Sequence, residues 1–348
     1  MKLGRTLAEV ASQIQRDSNE RRDFVSPTTK LHYEHDNYAG RIGFKIGKQS
    51  YSAIPTRHCI RQICERSGIP AKYADRMTGA HNKLLADNIN YWWQTEPEKR
   101  MLRTLLNGAH VARAFLSSIY RPLENSDLAA IVLPKLAQMG CEVLSCEITE
   151  TRLYIQAATP RLTNKLVGDV VQAGIVVSNS EVGAGALALE PLLYYLRCKN
   201  GMVMPRVMSR YHIGRRNDPM FELDSAAEYY TDQTKEMDDK AFWSKVKDVV
   251  EGLFDKDRFT SMVEAFEGTA AQKIKGTDAV EEVTQRFQLN ETEREQVLNN
   301  LIEGGELNLF GLINAVTRTA TDSESYDRSM ELQRIGGRIM ELPKAVWN

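Results

Sequence analysis

The densest run of positive charge lies between residues 197 and 216, and no Asp or Glu occurs from Pro191 to Asn217. Arginine and lysine neutralise phosphates, and aromatic rings stack on unpaired bases. The residues of this tract that we predict to bind nucleic acid are Arg197, Lys199, Arg206, Arg210, Tyr211, Arg215 and Arg216. The tract therefore predicts a groove for single-stranded nucleic acid. The alternative is that these side chains coat a solvated face or pair with the acidic C-terminal part.

A second basic set and an aromatic run supplement this tract. Arg57 and Arg61 are four residues apart in a predicted helix, so they share one face of it. The run Tyr91-Trp92-Trp93 cannot point wholly into a core if it is helical, because adjacent residues of a helix face different directions. These aromatic rings are candidates for base stacking and, equally, for a subunit interface.

A polar corner rich in glycine follows an apolar strand. Asn179, Ser180, Glu181 and Gly183 are the residues that a ligand would meet there, because glycine lets a backbone approach a ligand closely. The alternative is a tight connection in which Asn and Ser cap backbone groups. A metal-dependent nuclease or hydrolase built on this corner is a weaker hypothesis, since Asp169 lies roughly 40 Å from Glu181 on one extended strand.

The sequence lacks the common metal, nucleotide and catalytic motifs. No C-x-x-C pair, P-loop, G-x-G-x-x-G after a strand or G-x-S-x-G occurs. His32 and His35 lie close in sequence but in a polar connector. We therefore expect no metal and no cofactor, assign no catalytic residue, and favour a protein that is not an enzyme.

The formal net charge of -1 conceals a strong asymmetry along the 348 residues. Residues 1–125 carry 20 basic and 12 acidic side chains, residues 126–225 carry 10 of each, and residues 226–348 carry 15 and 24. A basic first part and an acidic last part indicate a polyanion site with an acidic appendage. The alternative is an ordinary drift of charge along the chain, which is common in soluble proteins.

The patterns of hydrophobic residues indicate the elements that must position these groups. An amphipathic helix opens the chain, a polar connector follows over residues 17–29, and alternating residues over 38–54 predict a β-hairpin. Thr56 is a predicted N-cap, and a polar helical region is predicted up to about residue 106. Residues 142–198 read as consecutive strands, and capping-box patterns at Ser225/Glu228 and Asn290/Glu293 accompany helical periods.

We therefore predict an α+β fold, with an antiparallel β-meander and packed helices followed by an all-helical C-terminal region. The predicted domains are 1–37 (N-terminal helix and connector), 38–220 (α+β core) and 221–348 (acidic helical region). No run of about 18 apolar residues occurs, so no membrane span is expected. The five cysteines and the amphipathic start favour a reducing cytoplasm.

Two segments resemble the signature of a phage- and plasmid-borne family, number 932 in the domains-of-unknown-function series. They are Gly168–Gly183 and Arg197–Met202. Three further segments are similar to that family: Ser117–Asn125, Gly68-Ile69-Pro70 and Gly311–Thr317. The resemblance covers roughly residues 40–340. It implies that the protein belongs to a bacteriophage or another mobile element and is located in a bacterial cytoplasm. The family has no settled activity, so the resemblance supplies no catalytic residue.

Genes of such elements often serve replication and recombination, and the resemblance implies an annealing-type fold that assembles into oligomeric rings. We predict an ATP-independent protein that binds and anneals single-stranded DNA, as a homo-oligomer. The first alternative is a protein without enzymatic activity that binds a host replication or defence factor. The second is the nuclease or hydrolase at the glycine-rich corner.

Overall fold

A computed structural model gives the fold of the chain. It describes residues 1–35, 40–46, 48–78, 81–106, 110–166, 169–196, 199–210 and 231–347. The predicted α+β class is confirmed, with strands in the first two thirds and helices in the last third. Within these residues the strands form two separate six-stranded sheets.

The first sheet has the strand order β1-β5-β6-β4-β3-β2. Its strands are β1 (Arg21–Pro27), β2 (His32–His35), β3 (Gly40–Ile46), β4 (Gln49–Pro55), β5 (Lys99–Leu105) and β6 (Val111–Ser117). The predicted hairpin is confirmed as β3 and β4, which pair antiparallel. Strands β4 and β6 pair in parallel over a short stretch, Ile54↔Val111 and Pro55↔Ala112. This stretch lies just before the helix that begins at Arg57.

Three helices cover one face of this sheet: α2 (Arg57–Arg66), α3 (Ala71–Met77) and α4 (Asn82–Thr95). Helix α2 begins after Thr56, whose side chain accepts a hydrogen bond from the Cys59 backbone N–H, as the sequence predicts for an N-cap. Ile63 and Ile89 are fully buried, so the apolar stripes of these helices form a core with the sheet.

The second sheet is the predicted antiparallel meander. Its strands are β7 (Glu142–Ile148), β8 (Leu153–Leu166), β9 (Asp169–Asn179), β10 (Leu187–Tyr195), β11 (Gly201–Val203) and β12 (Met208–Arg210). They follow the order β11-β10-β9-β8-β7, with β12 paired to β10. One face packs on α1 (Leu7–Glu20), α5 (Asn125–Gln138) and α6 (Asp232–Gly252), because alternate strand residues such as Ile155 and Val177 point towards them.

The C-terminal helices pack on the opposite face and on one end of this sheet. They are α7 (Lys256–Gly268), α8 (Gly276–Phe287), α9 (Glu291–Gly304), α10 (Leu309–Thr319) and α11 (Tyr326–Met340). Helix α9 begins with the predicted capping box of Asn290 and Glu293 and ends at Gly305 in the left-handed conformation. The pattern predicted at Ser225/Glu228 lies outside the described residues.

Two local predictions differ from the structure. The segment predicted as a connector contains the end of α1 and strand β1, which pairs with β5 from Arg21↔Leu105 to Pro27↔Lys99. Helix α4 ends at Thr95, and Lys99–Leu105 is strand β5 rather than helix. The partner strand is about 78 residues away in the sequence, and a long-range pairing of this kind leaves no local pattern. In the described ranges, no helix has both the length and the apolar character needed to cross a bilayer.

Candidate functional site at the glycine corner

The predicted polar corner is a tight connection between β9 and β10, and we call residues 178–186 the glycine corner. Within it, the Ser180 hydroxyl accepts a hydrogen bond of 2.9 Å from the Ala184 backbone N–H. Gly183 has a φ of 78°, which favours glycine because other side chains are strained there. Asn179, Ser180 and Glu181 are all buried. The corner is therefore a packed joint with its polar side chains turned inwards.

Two of these side chains hold the start of helix α5. The Asn179 amide donates to the Leu123 carbonyl at 2.7 Å and to Asn125 Oδ1 at 2.9 Å. Glu181 Oε1 accepts a hydrogen bond of 2.7 Å from the Asn125 backbone N–H. A carboxylate at a helix N-terminus satisfies a free donor and interacts favourably with the helix dipole. The capping interpretation of the corner thus accounts for both side chains.

Glu181 also belongs to a buried ionic cluster between the two sheets, which we call the inter-sheet cluster. Its members are three arginines and four carboxylates: Arg21, Arg103, Arg113, Asp17, Asp23, Glu124 and Glu181. The side chain of Arg103 is fully buried and donates to Asp23 at 2.7 Å and to Glu124 at 2.8 Å. Arg113 lies 3.2 Å from Glu181 Oε2. Both carboxylate oxygens of Glu181 are therefore engaged.

The inter-sheet cluster has one more carboxylate than guanidinium, and this imbalance changes its protonation. Burial raises the pKa of Glu124 to about 7, with the neighbouring Glu181 adding to the effect and Arg103 opposing it. Burial acts in the same direction on Glu181, but Arg113, Arg103 and the Asn125 N–H together hold its pKa below the ordinary value. Glu124 is thus the carboxyl of this pair that keeps a proton near neutral pH.

Helix α2 lies directly against the glycine corner. The Gln62 amide donates to the Val182 carbonyl at 2.8 Å, and His58 Nε2 lies 2.9 Å from the same oxygen. Arg57 and Arg61 are exposed on this helix. Arg61 is 3.8 Å from Asp75, and Arg57 forms no ion pair with any residue that the structure describes. The second predicted basic set and the predicted corner are therefore neighbours.

Three further arginines, Arg152, Arg206 and Arg334, lie at the corner or at Glu190 of the following strand β10, and we call them the arginine cluster. Arg152 Nη2 donates to the Ala184 carbonyl at 2.7 Å. Its guanidinium packs against Gly185 so closely that a Cβ atom there would overlap Arg152 Nη2. Glu190, which is 2% exposed, accepts from both Arg206 and Arg334. Only Arg206 of this cluster was predicted from the sequence.

The described arginines of the 191–217 tract are paired with carboxylates from outside it. Arg206 Nε lies 3.2 Å from Glu190, and Arg210 lies 2.6 Å from Asp238 of helix α6 and over the ring of Phe242. The second pairing is with the acidic C-terminal part, as the alternative interpretation anticipates. Lys199 is exposed, and its carbonyl accepts from the Met1 amino group. Arg197, Tyr211, Arg215 and Arg216 lie outside the described residues.

The other candidate groups are distributed between cores and surface. Trp93 is buried and stacks on Phe115 with ring centroids 5.7 Å apart, whereas Tyr91 is 60% exposed. Cys59 is fully buried, and burial raises its thiol pKa well above the ordinary range, so it behaves as a small apolar residue. Across the described ranges, no three His, Cys, Asp or Glu side chains are grouped closely enough to hold a metal ion.

Sequence reasoning did not identify Arg103, Arg113, Arg152, Glu190 and Arg334. A signal was present for Arg113, because it is an arginine in an otherwise apolar strand segment, and a buried charge needs a partner. Strand β5, which holds Arg103, also contains Lys99 and Arg100, so no such contrast marks Arg103. No local pattern marks Arg152, which meets the corner across the end of the second sheet, or Arg334, which meets Glu190 only when α11 packs on that sheet.

Comparison with known proteins gives no match. No family model, no curated protein and no solved structure matches the chain.

Proposed function

We propose that the chain is an ATP-independent protein of a phage or plasmid that binds and anneals single-stranded DNA, with the phosphate backbone lying across the glycine corner. The observation that carries this proposal is the docking of helix α2 on Val182 through His58 and Gln62. This docking sets the exposed Arg57 and Arg61 beside the corner, and Arg152 contacts the same corner at the Ala184 carbonyl.

The chemistry of these groups suits a nucleic-acid backbone. Arginine binds phosphate through paired N–H donors, and phosphate contacts supply most of the affinity in binding without sequence preference. The partly exposed residues of the corner, Gly183 and Ala184, are small, so a strand can lie close to the protein backbone there. Arg206 uses its Nε on Glu190, which leaves the two terminal nitrogens as donors within the described part of the chain.

The pairing of Arg210 with Asp238 limits the proposed surface. A cation that is already paired releases fewer counterions when it meets a phosphate, so it contributes less affinity. We therefore assign the main contacts to Arg57 and Arg152, which form no ion pair in the described part of the chain. Smaller contributions are assigned to the paired Arg61, Arg206 and Arg210.

Salt-dependent binding tests this proposal. The anisotropy of a fluorescent oligothymidine is followed at several salt concentrations with the full chain and with the double variant Arg57→Gln/Arg61→Gln. The loss of two phosphate contacts is expected to weaken binding about tenfold or more at low salt and to lower the salt slope by about two.

A matched control uses Arg286→Gln/Arg318→Gln. These two arginines are 43% and 56% exposed and are paired with carboxylates, but they lie on α8 and α10, away from the corner. This variant should bind like the unmodified protein. Absence of binding at low salt would overturn the proposed function, and equal losses in the two double variants would overturn the assignment of the surface.

A further inference from the structure

The arginine cluster brings together three guanidinium groups from distant parts of the chain. Arg152 directly precedes β8, Arg206 follows β11, and Arg334 lies in α11. Arg334 Nε is 2.9 and 3.0 Å from the two carboxylate oxygens of Glu190, and Arg206 Nε is 3.2 Å from one of them. Glu190 therefore orients two of the three arginines.

The third arginine lacks a carboxylate partner in the described ranges. The Arg152 guanidinium forms one hydrogen bond there, to the Ala184 carbonyl, and no ion pair. Asp327, the other carboxylate nearby, accepts the Tyr154 hydroxyl at 2.8 Å and the Thr149 hydroxyl at 3.2 Å. Burial, with the charges of Arg334 and Arg206 adding to it, lowers the pKa of Arg152. Three positive charges thus face two negative ones in a partly buried place.

Packing keeps the Arg152 guanidinium in this position. It lies against Gly185, and a larger residue at that position would displace it. The backbone of Gly185 is not in the left-handed region, so its conformation does not itself require glycine. The small residue at position 185 therefore serves to admit the guanidinium, at the end of the sheet where β8 begins and β10 follows the corner.

An uncompensated charge in a partly buried site is unfavourable unless an anion binds there. Among the described residues, the remaining N–H groups of Arg152 and the terminal nitrogens of Arg206 have no hydrogen-bond acceptor, so they can donate to a bound anion. The side chain of Arg206 is 38% exposed, which leaves the cluster open to solvent on that side. Guanidinium groups with uncommitted N–H donors match a tetrahedral oxyanion, which accepts several charge-assisted hydrogen bonds.

We propose that Arg152, Arg206 and Arg334 form a binding site for a phosphate group, with Glu190 holding the last two arginines in place. The phosphate contacts Arg152 and Arg206 directly, and Arg334 adds its charge. This inference rests on the proposed function only for the source of the phosphate. That source is an internucleotide phosphate of a DNA strand, a terminal phosphate of such a strand, or free phosphate.

Inorganic phosphate is the first probe. The thermal unfolding of the full chain and of Arg152→Gln, Arg152→Lys and Arg318→Gln is measured with increasing phosphate at constant ionic strength. Phosphate should raise the Tm of the unmodified chain and of Arg318→Gln, and the half-saturating concentration should rise at least tenfold in Arg152→Gln. Arg152→Lys should fall between them, because lysine keeps the charge but not the paired donors.

The Tm without phosphate separates a lost site from a misfolded protein. Removing an uncompensated charge should leave this Tm unchanged or raise it in Arg152→Gln. A Tm lowered well below that of Arg318→Gln would overturn the proposal, because it would mean that the Arg152 charge stabilises the fold. Failure of phosphate to raise the Tm of the unmodified chain, or equal protection of Arg152→Gln, would also overturn it.

Oligothymidines of equal length with a 5′-phosphate or a 5′-hydroxyl identify the source. A preference of tenfold or more for the 5′-phosphate that disappears in Arg152→Gln assigns a terminal phosphate. Equal binding of the two, weakened alike in Arg152→Gln, assigns an internucleotide phosphate. Protection by inorganic phosphate without binding of either oligothymidine supports the phosphate site while the proposed function fails.

Discussion

The Arg103 guanidinium, on strand β5 of the first sheet, donates a hydrogen bond of 3.1 Å to the main-chain carbonyl of Glu181 in the glycine corner. The same side chain, fully buried, binds Asp23 and Glu124. An arginine of one sheet thus fixes the connection between two strands of the other. The position of the corner relative to helix α2 depends on this contact, because both elements are anchored on the first sheet.

Arg103→Met is expected to destabilise the protein by about 3–5 kcal/mol, because it removes a fully buried guanidinium and leaves the partly buried Glu124 and the more exposed Asp23 without their shared partner. Urea unfolding measures the change. Arg318→Met, at a side chain that is 56% exposed, is the control and should change the free energy of unfolding by less than about 0.5 kcal/mol. A loss as small as that of the control would mean that the inter-sheet cluster does not hold the two sheets together.

Glu124→Gln is expected to remove a pH dependence of stability. The folded protein raises the pKa of Glu124 from 4.5 to about 7, so it binds this proton more tightly than the unfolded chain does. The resulting stability is fully present below pH 4.5 and is lost as the pH rises to about 7. Glutamine stays neutral at every pH. Relative to the unmodified protein, the free energy of unfolding of Glu124→Gln should therefore rise by up to about 3 kcal/mol between pH 4.5 and about 7.

Urea unfolding at several pH values measures this difference. The depressed pKa of Glu181 acts in the opposite sense, since its contribution is lost as the pH falls below the ordinary value, outside this interval. Glu303→Gln, at an exposed side chain, should keep the pH profile of the unmodified protein. Parallel profiles for Glu124→Gln and the unmodified protein would contradict the protonation assigned to the cluster.

The sequence predicts the parts of this architecture that depend on neighbouring residues. The hairpin of β3 and β4, the Thr56 cap, the meander and the capping box of α9 all follow from local periodicity or from side chains three residues apart. The pairing of β1 with β5 and the partners of Arg103 lie beyond any such pattern. The same holds for Glu190, whose burial beside Arg334 arises only when α11 packs on the second sheet.

Asp238→Asn is expected to release Arg210 from its carboxylate. The pair joins strand β12 to helix α6 at a partly exposed surface, so its loss should cost less than about 1 kcal/mol, and less still at high salt. The freed cation should strengthen binding of an oligothymidine a few-fold at low salt. Anisotropy titrations measure the affinity, with Asp257→Asn in the first turn of α7 as the control. An unchanged affinity would place Arg210 away from the bound strand.

Gly185→Ala is expected to displace the Arg152 guanidinium without unfolding the protein. The added Cβ meets the far end of a flexible side chain, so the free energy of unfolding should change by less than about 1 kcal/mol. Protection by phosphate should weaken as strongly as in Arg152→Gln. Gly304→Ala, where a Cβ meets no atom within 4 Å, is the matched control and should bind phosphate normally.

The double variant Gly185→Ala/Arg152→Gln makes this comparison specific. If the alanine acts only by displacing Arg152, the two changes act on the same interaction and the double variant should lose no more phosphate affinity than either single variant. Additive losses in the thermal titrations would mean that the backbone of the corner binds the anion by itself. In that event Arg152 and Gly185 would be independent contacts, and the packing of the guanidinium against the glycine would not be what positions it for phosphate.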